Sequence, residues 1–242
     1  MAEPSEAADM GVRIDTVRVG VNNIFLLRER GAILIDTGPR PLGRTVLRKL
    51  RRVVDDLHDI RLLIATHGHF DHIGAAPQLR AATGAPLTVH DADAEWVRSA
   101  TFYWPDGVTP WGRFSRRVLG PVMVPLFHLA PVEVDMILTD EGLDLDPFGV
   151  PGKVVHTPGH SPGSVSVVLP SGDAFVGDLA MNGPPMCLRP SFGIYADDPD
   201  QVPASWRRLL DLGMRTAYPA HGRPFPAARL APERKRARHE SS

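Results

Sequence analysis

The sequence predicts an α/β chain folded as a four-layer helix, sheet, sheet, helix (αββα) sandwich, with an inserted lid over about residues 99–132. Three features carry this reading. Apolar runs rich in β-branched residues alternate with helical periodicity up to about residue 98. A second set of strand-like runs with its own helix fills the C-terminal half, and an aromatic, proline-rich stretch separates the two halves.

Taken in order, 12–19, 23–27 and 32–36 read as strands separated by turns at Gly20 and Gly31. Leu42, Val46, Leu50, Val53 and Leu57 then recur at helical spacing with arginines between them, which predicts an amphipathic helix on the sheet. Residues 60–66 (IRLLIAT) form a continuous apolar run, the pattern of a strand buried on both faces. A helix from near His72 to Thr83 and a strand over 85–90 follow.

Between 99 and 132 stand Phe102, Tyr103, Trp104, Trp111, Phe114 and Phe127, several prolines and the basic cluster Arg113, Arg116 and Arg117, without clean periodicity. These aromatics form either a substrate pocket or the lid's own core, and the arginines are expected to be solvated. Strands return over 132–138, 152–156, 164–169 and 174–176, with a helix over 203–212 and a last strand near 216–218. The polar, basic tail from Glu233 reads as disordered.

Composition narrows the function classes. With 27 Lys+Arg against 28 Asp+Glu in 242 residues, the net charge of −1 gives no electrostatic case for nucleic acid. The 43% hydrophobic and 23% charged content excludes a disordered or fibrous chain, and 22 Gly with 24 Pro point to many loops, where function concentrates. One cysteine, Cys187, excludes an intramolecular disulfide and reads as a small buried hydrophobe. The first ten residues carry Glu3, Glu6 and Asp9 with no basic residue, so no signal peptide is expected, and the longest apolar stretch, 118–127, is about half a bilayer span. The expectation is a cytoplasmic protein acting on a small molecule, with no nucleic-acid or membrane partner. Its oligomeric state is open, with a dimer among the options.

Five of the 10 histidines fall in polar loops that directly follow predicted strands. The densest, Thr66-His67-Gly68-His69-Phe70-Asp71-His72, reads HxHxDH, whose chance occurrence is on the order of one in a thousand. In an extended segment His67 and His69 point the same way, while Asp71 and His72 lie where the chain turns into a helix and face a second point. One loop can thus serve two neighbouring metal positions, and imidazole with carboxylate suits zinc, iron or manganese. Further ligands must come from elsewhere, and three later loops offer His160, Asp178 and His221, each beside a glycine. His58, His90, His128, His156 and His239 lie outside this pattern and read as surface or core residues.

This order of motifs, with the upstream Leu34-Ile35-Asp36-Thr37-Gly38, resembles the metallo-β-lactamase superfamily, in its glyoxalase II and lactonase-like branch, over residues 12 to about 225. The resemblance implies one metallo-β-lactamase domain over 1–242 and two divalent metal ions. Zinc is the first choice, with manganese, cobalt or iron as alternatives. His67, His69 and His160 resemble the ligands of the first metal, Asp71, His72 and His221 those of the second, and Asp178 the bridging carboxylate. Asp36 matches a position that orients a ligating imidazole. The implied activity is hydrolysis, by a metal-bridging hydroxide, of a small ester, lactone or thioester, with Asp71 and Asp178 as the catalytic carboxylates and Asp71 holding the nucleophile in line.

Asp178 counts against β-lactam substrates, because β-lactamases of this fold generally lack the bridging carboxylate. Glyoxalase II carries a C-terminal helical domain, whereas only about twenty residues follow His221 here. Lactonases place a tyrosine shortly after the bridging Asp, where this chain has Leu179, Ala180 and Met181. The alternatives are a mononuclear-iron, persulfide dioxygenase-like oxidoreductase, β-lactamase or phosphodiesterase activity at the same site, and a non-catalytic scaffold.

Overall fold

Alternation along the central strands sets the layers. In β2 (Asn22–Arg28), Ile24 and Leu26 point to one side and Phe25 and Leu27 to the other; Leu34 opposes Ile33 and Ile35 in β3 (Ala32–Ile35), as Leu63 opposes Leu62 and Ile64 in β4 (Ile60–Ile64). All of these side chains are buried, so both faces of the sheet are covered, as the apolar run predicts. The computed structural model describes residues 11–126, 129–183, 187 and 190–230. The basic tail, the first ten residues, Phe127, His128 and His239 lie outside them.

The first sheet runs in the order β1-β2-β3-β4-β5-β6, with β1 (Arg13–Val19), β5 (Leu87–His90) and β6 (Met136–Leu138) completing it. Its first three strands are antiparallel and β3 to β6 are parallel. Helices α1 (Gly43–Leu50), α3 (Ala76–Thr83) and α4 (Asp91–Arg98) supply or follow the crossovers. The second sheet is ordered β12-β11-β10-β9-β8-β7, from β7 (Leu143–Asp144), β8 (Lys153–His156), β9 (Val165–Val168), β10 (Asp173–Gly177), β11 (Thr216–Pro219) and β12 (Phe225–Pro226). Val154, Val165, Val167 and Phe175 meet the first sheet's inner face, while Val155, Val168, Ala174 and Val176 face the side covered by α6 (Val202–Asp211). Helix, sheet, sheet and helix therefore stack around three apolar layers.

Several elements differ from the sequence expectation. The first helix stops at Leu50 rather than Leu57, and Val54 and Leu57 reach the core from the turns that follow. Asp56 accepts the His58 N–H there and competes with helical bonding. The helix expected from His72 to Thr83 is broken between α2 (Phe70–Ile73) and α3. The His72 carbonyl is taken by the Thr37 N–H and hydroxyl, and Pro77, with no N–H to give, sits where a new helix tolerates it. The strand expected over 132–138 shortens to β6. The region expected to lack periodicity contains the 17-residue helix α5 (Pro110–Leu126), with Pro121 and Pro125 inside it. Cys187 is only partly buried.

Candidate metal centre

The strand ends of both sheets deliver the site. Asp36 follows β3, His67 follows β4, His160 follows β8, Asp178 follows β10 and His221 follows β11, the carboxyl-end placement common to open α/β sheets. His69 is the N-cap of α2, and Asp71 and His72 lie within it. Glycine is required beside these loops. Gly222, at φ 106°, would place a Cβ 1.4 Å from the Asn182 carbonyl oxygen, and Gly177, at φ 51°, one 2.7 Å from Thr66 Oγ1.

All seven residues singled out as ligands come together. His67, His69 and His160 form one nest, Asp71, His72 and His221 another, and His67, His72 and Asp178 a third, the ligand atoms within each lying within 4.8 Å of one another. Asp178 stands between the first two: its Oδ1 is 3.4 Å from His221 Nε2 and 3.5 Å from His72 Nε2, and its Oδ2 is 3.6 Å from His160 Nε2. Asp71 Oδ2 lies 3.2 Å from His221 Nε2.

Outward contacts fix how the rings point. His72 Nδ1 meets Asp36 Oδ2 at 2.9 Å, His160 Nδ1 the Tyr195 carbonyl at 2.9 Å, His221 Nδ1 the Val21 carbonyl at 3.1 Å and His67 Nδ1 the Thr66 hydroxyl at 3.0 Å. In the neutral ring, an Nδ1–H that donates outward leaves the Nε2 lone pair turned inward. Asp36, at φ 63°, also accepts the Thr66 N–H and hydroxyl, so one strained carboxylate steadies two of the histidines.

The polar atoms test whether metal fits. His67 Nε2, His69 Nε2, His72 Nε2 and Asp178 Oδ1 are buried with no hydrogen-bond partner among the described residues. Such orphans are rare in folded proteins, and cations shared by this imidazole and carboxylate set would satisfy His67 Nε2, His72 Nε2 and Asp178 Oδ1, whereas His69 turns its Nδ1, 3.0 Å from His160 Nε2, toward the nest. Burial, with neighbouring imidazoles adding to it, holds His67 and His69 well below the usual imidazole value; burial also lowers His160. Burial opposes charging at His221 as well, but Asp178 and Asp71 outweigh it and push that ring up to about 10. Burial works against ionising Asp178, yet His221 and His72 keep its carboxyl well below the carboxylate range.

The sequence profile of the metallo-beta-lactamase superfamily matches residues 17–221, which include all seven of these residues. The chain belongs to that superfamily. Relatives include the probable metallo-hydrolase YflN of Bacillus subtilis, 25% identical over 90% of this chain and 86% of its own length. Another is the probable metallo-hydrolase YqgX of the same organism, 28% identical over 68% of each chain. Among solved structures, TTHA1623 in a di-iron-bound form is 28% identical with a TM-score of 0.62 over 90% of this chain and 98% of that one. This superfamily member is a metallo-hydrolase with the αββα fold. No helix among its described residues is long and apolar enough to cross a membrane.

Sequence reasoning missed three supports of the site. Asp93, in the first turn of α4 and wholly buried, accepts the Gly68 N–H (2.9 Å) and the Ser161 hydroxyl (2.7 Å) on Oδ2 and the Gly163 N–H (2.8 Å) on Oδ1. It staples the loop of His67 and His69 to the loop of His160. Asn22 donates to Asp71 Oδ2 at 3.0 Å, and Asn23 donates to the Pro219 and Gly222 carbonyls around His221. The available signal was weak: two adjacent amides at the head of an apolar strand, and an acid in a helical first turn. His90 and His156, set aside as surface or core, stack 4.0 Å apart and share Asp140 outside the site.

Proposed function

We propose that the protein is a dinuclear metal-dependent hydrolase acting on the carbonyl of a small ester, lactone or thioester. The observation that carries this is Asp178, whose two carboxylate oxygens face the two His-containing nests from between them. His67, His69 and His160 would hold one cation, Asp71, His72 and His221 the other, and Asp178 both. Two divalent cations bound there supply Lewis acidity, polarising the carbonyl and acidifying water near neutral pH. The oxygen of water bonds to the carbonyl carbon, the acyl C–O or C–S bond breaks, and a proton passes to the leaving oxygen or sulfur. Asp71 is the residue placed to carry that proton: Asn22 fixes its Oδ2, and it borders the open cavity. Asp36, Asp93 and the backbone carbonyls of Val21 and Tyr195 keep the imidazoles aimed and take no part in the chemistry.

Zinc is the first expectation for this donor set, and the di-iron form of TTHA1623 makes iron the second. The test is metal content per chain together with hydrolysis of p-nitrophenyl esters, a lactone and a phosphodiester by the wild type and Asp178→Asn. Two metal ions per chain with acyl turnover, lost in Asp178→Asn while the circular dichroism spectrum is kept, are expected. One ion per chain, or full turnover in Asp178→Asn, rejects the dinuclear reading.

A further inference from the structure

A cavity of about 400 Å³ opens onto Asp71, Asp178 and the imidazoles of His69, His160 and His221. Beyond that floor its wall is mostly apolar and includes Leu42, Phe70, Trp104, Trp111, Leu119 and Ile194. Among the described residues no lysine or arginine lines it.

The few polar side chains in the wall are already engaged. Asn22 donates to Asp71, the Tyr103 hydroxyl donates to Asp197 at 2.5 Å, and the Ser115 and Tyr195 hydroxyls pair with each other at 2.6 Å. The arginines of α5 are engaged outside the cavity: Arg116 pairs with Asp106 and Arg113 reaches the Gly107 carbonyl, both bordering an adjoining groove that shares Tyr103 and Trp104 with the cavity but not lining the cavity itself. A charged substituent on the substrate would therefore leave water for a wall that offers no counter-charge and no spare donor, a costly transfer.

We propose, building on the hydrolase reading, that the substrate's non-reacting portion is uncharged and apolar. At roughly the 30 Å³ that each water takes in the liquid, the cavity holds about a dozen heavy atoms. The class is thus a neutral ester, thioester or lactone with a medium-length aliphatic or an aromatic group. Anionic acyl groups, phosphodiesters and carboxylated β-lactams are disfavoured.

The experiment compares p-nitrophenyl esters from acetate to octanoate with p-nitrophenyl esters that end in a free ω-carboxylate, using the metal-loaded enzyme. In parallel, tryptophan fluorescence is titrated with non-hydrolysed neutral amides and their ω-carboxylate counterparts, since Trp104 and Trp111 lie in the wall. The expected result is a kcat/KM that rises by up to about fourfold per methylene until the cavity is filled. The ω-carboxylate esters should be slower by about a hundredfold or more. Ile194→Arg should narrow or invert that ratio. Amide binding graded by length and lost with the ω-carboxylate, without turnover of any ester, would uphold this cavity and overturn the proposed ester, thioester or lactone hydrolysis. Ester turnover indifferent to chain length, or equal for the charged series, would overturn the cavity proposal and leave the hydrolase reading standing.

Discussion

Asp93 has no exposed surface, and its two oxygens hold the backbone on both sides of the candidate site. Replacing one oxygen with an amide nitrogen would set a donor against the N–H of Gly163 or of Gly68, so Asp93→Asn should loosen the loops that aim His67, His69 and His160. The expected outcome is a loss of about 10–100-fold in metal affinity, read by chelator competition, with a parallel fall in kcat. Unchanged affinity alongside a lower melting temperature would make Asp93 a structural residue only. At this scale the sequence was uneven. Seven residues of ligand type in loops after strands could be read, because histidine and aspartate in HxHxDH have few ordinary reasons to recur so closely. Asp36 could be read through the resemblance, and it meets His72 as that resemblance implies. Asp93 and Asn22 could not, because an acid in a first helical turn and an asparagine beside a turn between strands are what caps and turns use everywhere.

At the scale of elements, α4 matters because it carries Asp93, and its own start depends on a titratable cap. His90 is the N-cap of α4, accepting the Ala92 N–H at Nδ1. Burial, and then the stacked His156 ring, hold its pKa below the ordinary imidazole value. Because the folded pKa lies below the unfolded one, this contribution to stability is complete above the unfolded value. It drains away as pH falls through the folded pKa, where protonation also removes the lone pair that caps the helix. The melting temperature should therefore drop as pH is lowered from about 7 to about 5, and less steeply in His90→Asn, which keeps a capping side chain that does not titrate. Identical slopes in the two proteins would dismiss this account. Helix α5 was illegible for a physical reason: Pro121 and Pro125 read as breakers, yet the helix runs through both. Trp111, Phe114, Val118 and Val122 do recur at helical spacing, but that stripe is exposed rather than buried, and the two prolines interrupt it as a sequence signal.

At the scale of the molecule, the layers could be read from strands apolar on both faces, whereas β7 and β12, two residues each, carry too little pattern to be seen. The two sheets do not share the candidate site equally. His67, His69, Asp71 and His72 come from connections of the first sheet, and His160, Asp178 and His221 from those of the second. Cations held as proposed would link the sheets at one edge, where the protein's own links include the Asn23 N–H to the Ala220 carbonyl and the His221 ring to the Val21 carbonyl. Metal binding should therefore add stability between sheets that already share an apolar layer. A metal ion at a hundredfold excess over its Kd contributes about 2.7 kcal/mol. For a chain of this size that corresponds to a melting temperature higher by about 5–11 °C than after chelation. The far-ultraviolet circular dichroism should stay the same, because the three apolar layers do not include the site. Chelation should speed amide exchange in the loops around residues 67–72, 160 and 221 and leave β2, β3 and β4 protected. His67→Ala, which removes a ligand of the first position, should shrink the metal-dependent rise. A melting temperature indifferent to chelation, in a protein shown to bind metal, would mean that the two sheets meet in the same way with or without it.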